Sequence, residues 1–251
     1  DIPTVSCIHR LPTLAILLIV KLVLNMFTID MLAEEAMNKR IKLIIIEDDV
    51  LFRTILKKML INCPNIEVCA DFDNAEEALV YIKNNRVDVV LMDTCLTFMS
   101  GVEASKIINA YNPDIKVILF TSNNQDSELL ALLSAKVNAL LQKDISQYEL
   151  SNIINSVMQG RCWVDFRIQQ QVFCLVKYLP EEDYLYFMHL LSYTESKLIN
   201  LVLKGFKNRE IGKYLNIGFA EIPNYVFSIF NKLSKTKKAE VAIQEIRYDL
   251  F

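Results

Sequence analysis

The sequence predicts an α/β fold: a five-stranded, doubly wound parallel sheet, followed by a smaller second module. Three observations predict it. Short runs of β-branched and other apolar residues alternate with stretches of helical period. Several of those runs stop abruptly at acidic or hydroxyl side chains, on the edge where parallel sheets bind ligands. Charge is also divided, with 12 basic against 17 acidic residues over 40–165 but 10 against 6 over 186–251. An acidic part joined to a basic part implies two modules with different partners, the second suited to nucleic acid.

The strand candidates are 41–46 (IKLIII), 66–70 (IEVCA), 87–92 (VDVVLM), 115–121 (IKVILFT) and 138–142 (NALLQ). Amphipathic stretches at about 50–62, 74–85, 101–111, 125–135 and 146–159 follow them in turn. A strand followed each time by a helix requires crossover connections, hence parallel strands with helices on both faces.

Glu47 and Asp48 close the first strand, Asp93 the third and Thr121 the fourth, and Lys143 follows the fifth. Each alone is ordinary: an acid in a loop, a capping hydroxyl, a solvated lysine. Together they converge on one edge, where carboxylates, a hydroxyl and an ammonium can bind a hard cation and a phosphoryl group.

The flanks are less informative. Residues 1–36 include the apolar run LAILLIV (14–20), but Lys21, Asn25 and Asp30 interrupt the stretch from Leu11 to Leu32. A signal peptide fits poorly, because no small-residue cleavage pattern follows. Met37, directly before NKRIKLIIIEDD, reads as a natural start, which makes 1–36 an apolar extension of doubtful nativeness; a membrane anchor is the minority alternative. The six cysteines form no C-x-x-C pair, so a zinc site and a disulfide framework are not expected, and buried small apolar roles are.

Over about 41–159 the chain resembles the receiver domain of two-component response regulators, a flavodoxin-like fold. The motifs that carry the resemblance are Glu47-Asp48, DTCLTFMSG (93–101), Thr121-Ser122 and Lys143-Asp144. It implies that Asp93 is the phosphoacceptor, fed by a sensor histidine kinase. It implies that Asp48, Asp93 and the backbone carbonyl of Cys95 hold Mg²⁺, with Glu47 acting mainly through water. Lys143 would pair with phosphoryl oxygens, and Thr121 would move to bond them. Three positions depart from the family pattern: Thr97 replaces a proline, Lys136-Val137 replace Gly-Ala, and Leu140 stands where the switch aromatic belongs. These put the coupling to output in question more than the phosphoryl chemistry.

Residues 160–187 read as a partly helical linker that packs, with Trp163 and Phe166 in packing roles. From 188 to 251 the chain resembles the helix-turn-helix output domain of the LuxR/NarL/FixJ class, a small all-α fold. Leu191, Glu195, Leu198, Gly205, Asn208, Ile211, Val226 and Ile229 are among the matches, with Gly205 as a helix stop and Asn208 as a cap. The resemblance weakens at the recognition helix, where Glu221, Ile222 and Pro223 stand; the helix is expected to begin at Pro223. Asn224 could read an adenine edge, and Lys204, Lys207, Arg209, Lys213 and Lys232 could hold phosphates of double-stranded DNA.

The expected function is a phosphorylation-controlled transcription regulator, not an enzyme, pairing into homodimers on phosphorylation. The alternative is a protein-interaction switch whose output no longer binds DNA. A phosphohydrolase ranks last, because DTCLT offers no second acid beside the nucleophile. Lysine at 19 against arginine at 8, with 19 asparagines, gives a bias similar to response regulators encoded in plastid genomes of red-lineage algae. The compartment would then be the plastid stroma, and otherwise a bacterial cytoplasm, with no role at a membrane.

Overall fold

A computed structural model describes residues 40–121, 135 and 137–237. The five expected strands form as β1 (Ile41–Ile46), β2 (Ile66–Phe72), β3 (Val89–Asp93), β4 (Lys116–Thr121) and β5 (Ala139–Gln142). All pair in parallel, in the order β2-β1-β3-β4-β5, and a sixth strand, β6 (Trp163–Val164), joins β5 at the edge. That sixth strand corrects the expected count of five. Two residues are too short to show a period of two, so no sequence pattern marked it.

Alternate residues of the central strands serve opposite faces, as pleating demands. Ile44, Ile46, Val90, Met92 and Leu119 point into one apolar cluster, and Leu43, Ile45, Leu91, Ile118 and Phe120 into the other. Helices α1 (Val50–Leu60) and α4 (Gln147–Met158) cover the second cluster with Leu56, Leu60, Leu150, Ile154 and Val157. Helices α2 (Ala75–Asn84) and α3 (Gly101–Tyr111) cover the first with Ala75, Ala78, Ile82, Val102 and Ile108. The result is the expected doubly wound sheet. Each helix opens on a side-chain cap: Asp49, Asn74, Ser100 and Ser146 accept from backbone N–H groups of the first turn, and Glu149 completes a capping box. The expected helix at 125–135 lies outside the described residues apart from Ala135, as do residues 1–36.

The first cluster does not stop at the sheet. It continues through Val164 of β6 and through Ile168, Val172 and Phe173 of α5 (Phe166–Leu175) into the C-terminal helices. These are α6 (Glu181–Leu190), α7 (Tyr193–Leu203), α8 (Asn208–Leu215) and α9 (Ile222–Leu233), and the described residues from Ile41 onward belong to one compact unit. Phe173 meets Phe230 edge to face with ring centroids 5.9 Å apart, and Gln170 Nε2 donates to the Val202 carbonyl at 3.3 Å. The linker therefore packs against both sides.

Local expectations in the helical region need two corrections. The cap of α8 is Lys207, whose backbone N–H is taken by the Glu210 carboxylate at 2.8 Å, so Asn208 is already inside the helix. Helix α9, where the recognition helix was expected, begins at Ile222, one residue earlier than expected, with Pro223 in its first turn, where its missing N–H leaves no bond unmade. Gly205, at φ 90°, stops α7 as expected. The cysteines need a third correction. Of the described ones only Cys63 is buried, while Cys95 and Cys174 are exposed. No helix among the described residues is long and apolar enough to cross a membrane.

Candidate functional site

The carboxyl ends of β1 and β3 bring three acids together. Glu47, Asp48 and Asp93 each present a carboxylate oxygen, all within 4.8 Å of one another. Lys143, in the turn after β5, places its ammonium 2.9 Å from Glu47 Oε1 and 3.2 Å from Asp93 Oδ2. Its charge also lies 4.8 Å from the centre of the Phe52 ring, which packs edge-on against Phe120. An aromatic face there holds the lysine stem over the sheet and adds a favourable quadrupole contact.

Glu47 is 1% and Asp93 4% exposed, so water cannot screen them. Burial pushes both carboxyls above their ordinary range, and Lys143 only partly opposes it. Asp48 raises Asp93 further, and Asp93 raises Glu47. Burial acts against the Lys143 charge too, but bonding to Glu47 and the nearness of both acids outweigh it and raise its pKa. When ionised, three carboxylates against one ammonium leave an excess of two negative charges. Glu47 Oε2 and Asp93 Oδ1 are buried with no hydrogen-bond partner. Unpaired buried carboxylate oxygens facing an excess negative charge suit a hard divalent cation.

Thr121 ends β4 and is buried, beside β3 on one side and paired with Gln142 on the other. The loop after β3 exposes Cys95, whose backbone bonds the Asp93 carboxylate. The sequence pattern gave no role in this pocket to four of its neighbours. Thr97 Oγ1 donates to Asp48 Oδ2 at 2.9 Å. Arg53 Nη1 donates to the Glu47 carbonyl, and its Nε lies 3.3 Å from Asp71. Arg167 of α5 forks onto Asp144, beside Lys143, at 2.6 and 2.7 Å. Gly101 sits so close under the strand that a Cβ there would lie 2.0 Å from the Asp93 carbonyl oxygen. Gly101 and Thr97 carried a signal in the sequence as parts of the quoted motif, Thr97 as a departure from the expected proline, whereas Arg53 and Arg167 carried none.

The candidate DNA-facing residues do not all share one environment. Lys204, Lys207, Arg209, Lys213 and Asn224 are exposed. Lys232 is engaged inside the domain, its ammonium 2.6 and 2.8 Å from the buried Glu195 carboxylate, which also accepts from Ser228 Oγ. Burial works against that carboxylate, but Lys232, the Ser192 N–H and Ser228 outweigh it and hold its pKa down at about 2. Gly212 of α8 faces the turn, where a Cβ would come 2.8 Å from the Ile217 carbonyl oxygen, so the helix-turn-helix corner needs glycine there.

Comparison with known proteins bears on the first module and on the chain as a whole. Residues 43–155 match the response regulator receiver domain. The transcriptional regulatory protein DegU of Brevibacillus brevis is 26% identical over 227 residues, covering 85% of this chain and 96% of the relative. The response regulator UvrY of Escherichia coli K12 is 28% identical over 210 residues, covering 84% and 95%. Among solved structures, the response regulator RcsB in its DNA complex superposes with a TM-score of 0.50 at 20% identity, covering 83% of this chain and 98% of that one. That likeness speaks for the fold.

Proposed function

Because the chain belongs to the response regulators of the LuxR/NarL/FixJ class, we propose that it is a transcription regulator switched by phosphorylation of Asp93. A sensor histidine kinase supplies the phosphoryl group from a phosphohistidine, and the helix-turn-helix domain binds double-stranded DNA. The observation that carries this reading is the Lys143 ammonium held between Glu47 and Asp93 at the rim of a three-carboxylate pocket.

An Asp93 oxygen attacks the phosphorus, the phosphorus–nitrogen bond to the donor imidazole breaks, and the imidazole leaves with a proton. Lys143 moves from the carboxylates to the phosphoryl oxygens, and the Thr121 hydroxyl bonds another of them. Bound Mg²⁺, held by Asp48, Asp93 and the Cys95 carbonyl with Glu47 acting through water, would neutralise charge that otherwise repels an anionic donor. Phosphorylated Asp93 then offers new acceptors and charge that favour one conformation over another. The domains in this reading are receiver 37–159, linker 160–187 and output 188–251, and phosphorylation pairs two copies.

Incubation with acetyl phosphate and Mg²⁺ labels the wild-type chain in this reading and leaves Asp93→Asn unlabelled. Label retained in the variant refutes the assignment. In the output domain, Lys204, Lys207, Arg209 and Lys213 are the phosphate-contacting candidates and Asn224 the base-reading one. Lys232 also belongs to the candidate set, but its salt bridge to Glu195 must open first.

A second reading, a protein-interaction switch, is favoured by Glu221 at the N-terminal cap of the recognition helix and by the engagement of Lys232. A shift assay on promoter fragments separates the two, since phosphate contacts weaken steeply with salt. The relatives named above that carry an organism are bacterial, which supports a bacterial cytoplasm over a plastid.

A further inference from the structure

We propose that Thr97 is a positioning residue for the metal site: its hydroxyl holds the Asp48 carboxylate in the orientation that accepts a divalent cation. The inference rests on the metal reading of the pocket given above and extends it to a residue outside the ligand set.

Thr97 stands where the resemblance leads one to expect proline, a residue with no side-chain donor. In this chain its Oγ1 lies 2.9 Å from Asp48 Oδ2, joining segments 49 residues apart in sequence. The two residues come from different loops, Asp48 from the end of β1 and Thr97 from the turn between β3 and α3. Among the described residues, Asp48 differs from its neighbours in the pocket. Lys143 bonds Glu47 and Asp93 but makes no ion pair with Asp48. Glu47 Oε1 also accepts from the Asp49 N–H at 3.3 Å, and Asp93 is bonded by the Cys95 backbone. Thr97 thus supplies to the most weakly held of the three acids the one directional bond that the lysine does not make.

A hydrogen bond to a charged oxygen is short, directional and stronger than a neutral one. With Oδ2 tethered, the plane of the carboxylate is set. Groups that orient metal-binding carboxylates in this way govern affinity without touching the ion. The tether also ties the loop carrying Cys95 to the end of β1, so two candidate oxygen sources move as one piece.

The test measures Mn²⁺ binding to the full chain by electron paramagnetic resonance, with Mg²⁺ competition to report on the same site. Thr97→Val keeps the shape and removes the donor, and it should weaken Mn²⁺ binding by about tenfold. Thr97→Ser keeps the hydroxyl and should bind within about twofold of wild type. A valine variant that binds as tightly as wild type overturns the proposal, and so does a serine variant as weak as valine. Circular dichroism spectra and melting curves of both variants identify a folding defect; loss of affinity that tracks loss of fold, with serine failing alongside valine, also counts against it. Asp48→Asn serves as the control on the underlying reading. Wild-type protein that takes up no Mn²⁺, or Asp48→Asn that binds it undiminished, would remove the metal site itself, a result distinct from the failure of Thr97 alone.

Discussion

At the scale of single residues, two buried acids meet opposite fates. Glu47 shares one ammonium with Asp93, and burial wins, so its pKa lies above the ordinary range. Glu195 has Lys232 to itself, plus Ser192 and Ser228, and its carboxyl is held at about 2 instead of 4.5. The folded-state value is depressed, so the stabilisation is complete above about pH 4.5 and is lost as the pH falls towards 2. Glu195→Gln should therefore lower stability at pH 7 by roughly 3 kcal/mol and flatten the decline between pH 5 and pH 2. Urea unfolding of wild type and variant across that range checks both signs. Much of the pocket was legible because acids at the ends of apolar runs stand out in any sequence. The contacts of Thr97, Arg53 and Arg167 were not, since each acts on a partner that only folding brings near. The ion pair of Lys232 was hidden for the same reason. Its basic charge suggested a phosphate, and in this structure its ammonium also pairs with Glu195, 37 residues away on another helix.

At the scale of elements, the sheet was readable and its closure was not. The five long strands matched their apolar runs to within a few residues; in the central ones, β1, β3 and β4, burial on both faces forces nearly unbroken runs of Ile, Val and Leu. β6 and the first turn of α9 depend on tertiary context and shifted accordingly. The tightest element junction is the one between β3 and α3. There Gly101 donates its N–H to the Thr94 carbonyl at 2.9 Å and leaves no room for a side chain against the Asp93 carbonyl. Gly101→Ala should displace the end of β3, costing about 1–3 kcal/mol. It should also slow labelling by acetyl phosphate, because Asp93 is carried on the displaced backbone. A lowered urea midpoint together with slower labelling is the expected pair, and an unchanged midpoint contradicts the close approach.

At the scale of the whole molecule, one apolar cluster runs from the sheet through α5 into the output helices. Two modules sharing a core should unfold together. Calorimetry of the wild-type chain should show a single transition, whereas Phe173→Ala, which empties the edge-to-face contact with Phe230, should lose about 3–5 kcal/mol at that junction. The variant should then melt in two steps, the output helices first. Two transitions already present in the wild type would contradict a shared core. The sequence implied a packing linker from its aromatic content, but it could not show which face of α5 met which module.

The borders of the sheet carry a consequence of their own. A strand with a bare flank is a template on which another chain can grow, and long flat flanks seed fibrils. At one border β2 places charged Glu67 and Asp71, and its pairing with β1 slips register between Leu43 and Ile44. At the other, β6 stops after Trp163 and Val164, and the Val164 carbonyl is taken by Gln169 at 2.8 Å. The slip divides β2 into two short stretches and β6 is only two residues long, so each border presents few backbone groups in line to a neighbouring polypeptide, which works against the sheet extending sideways into amyloid.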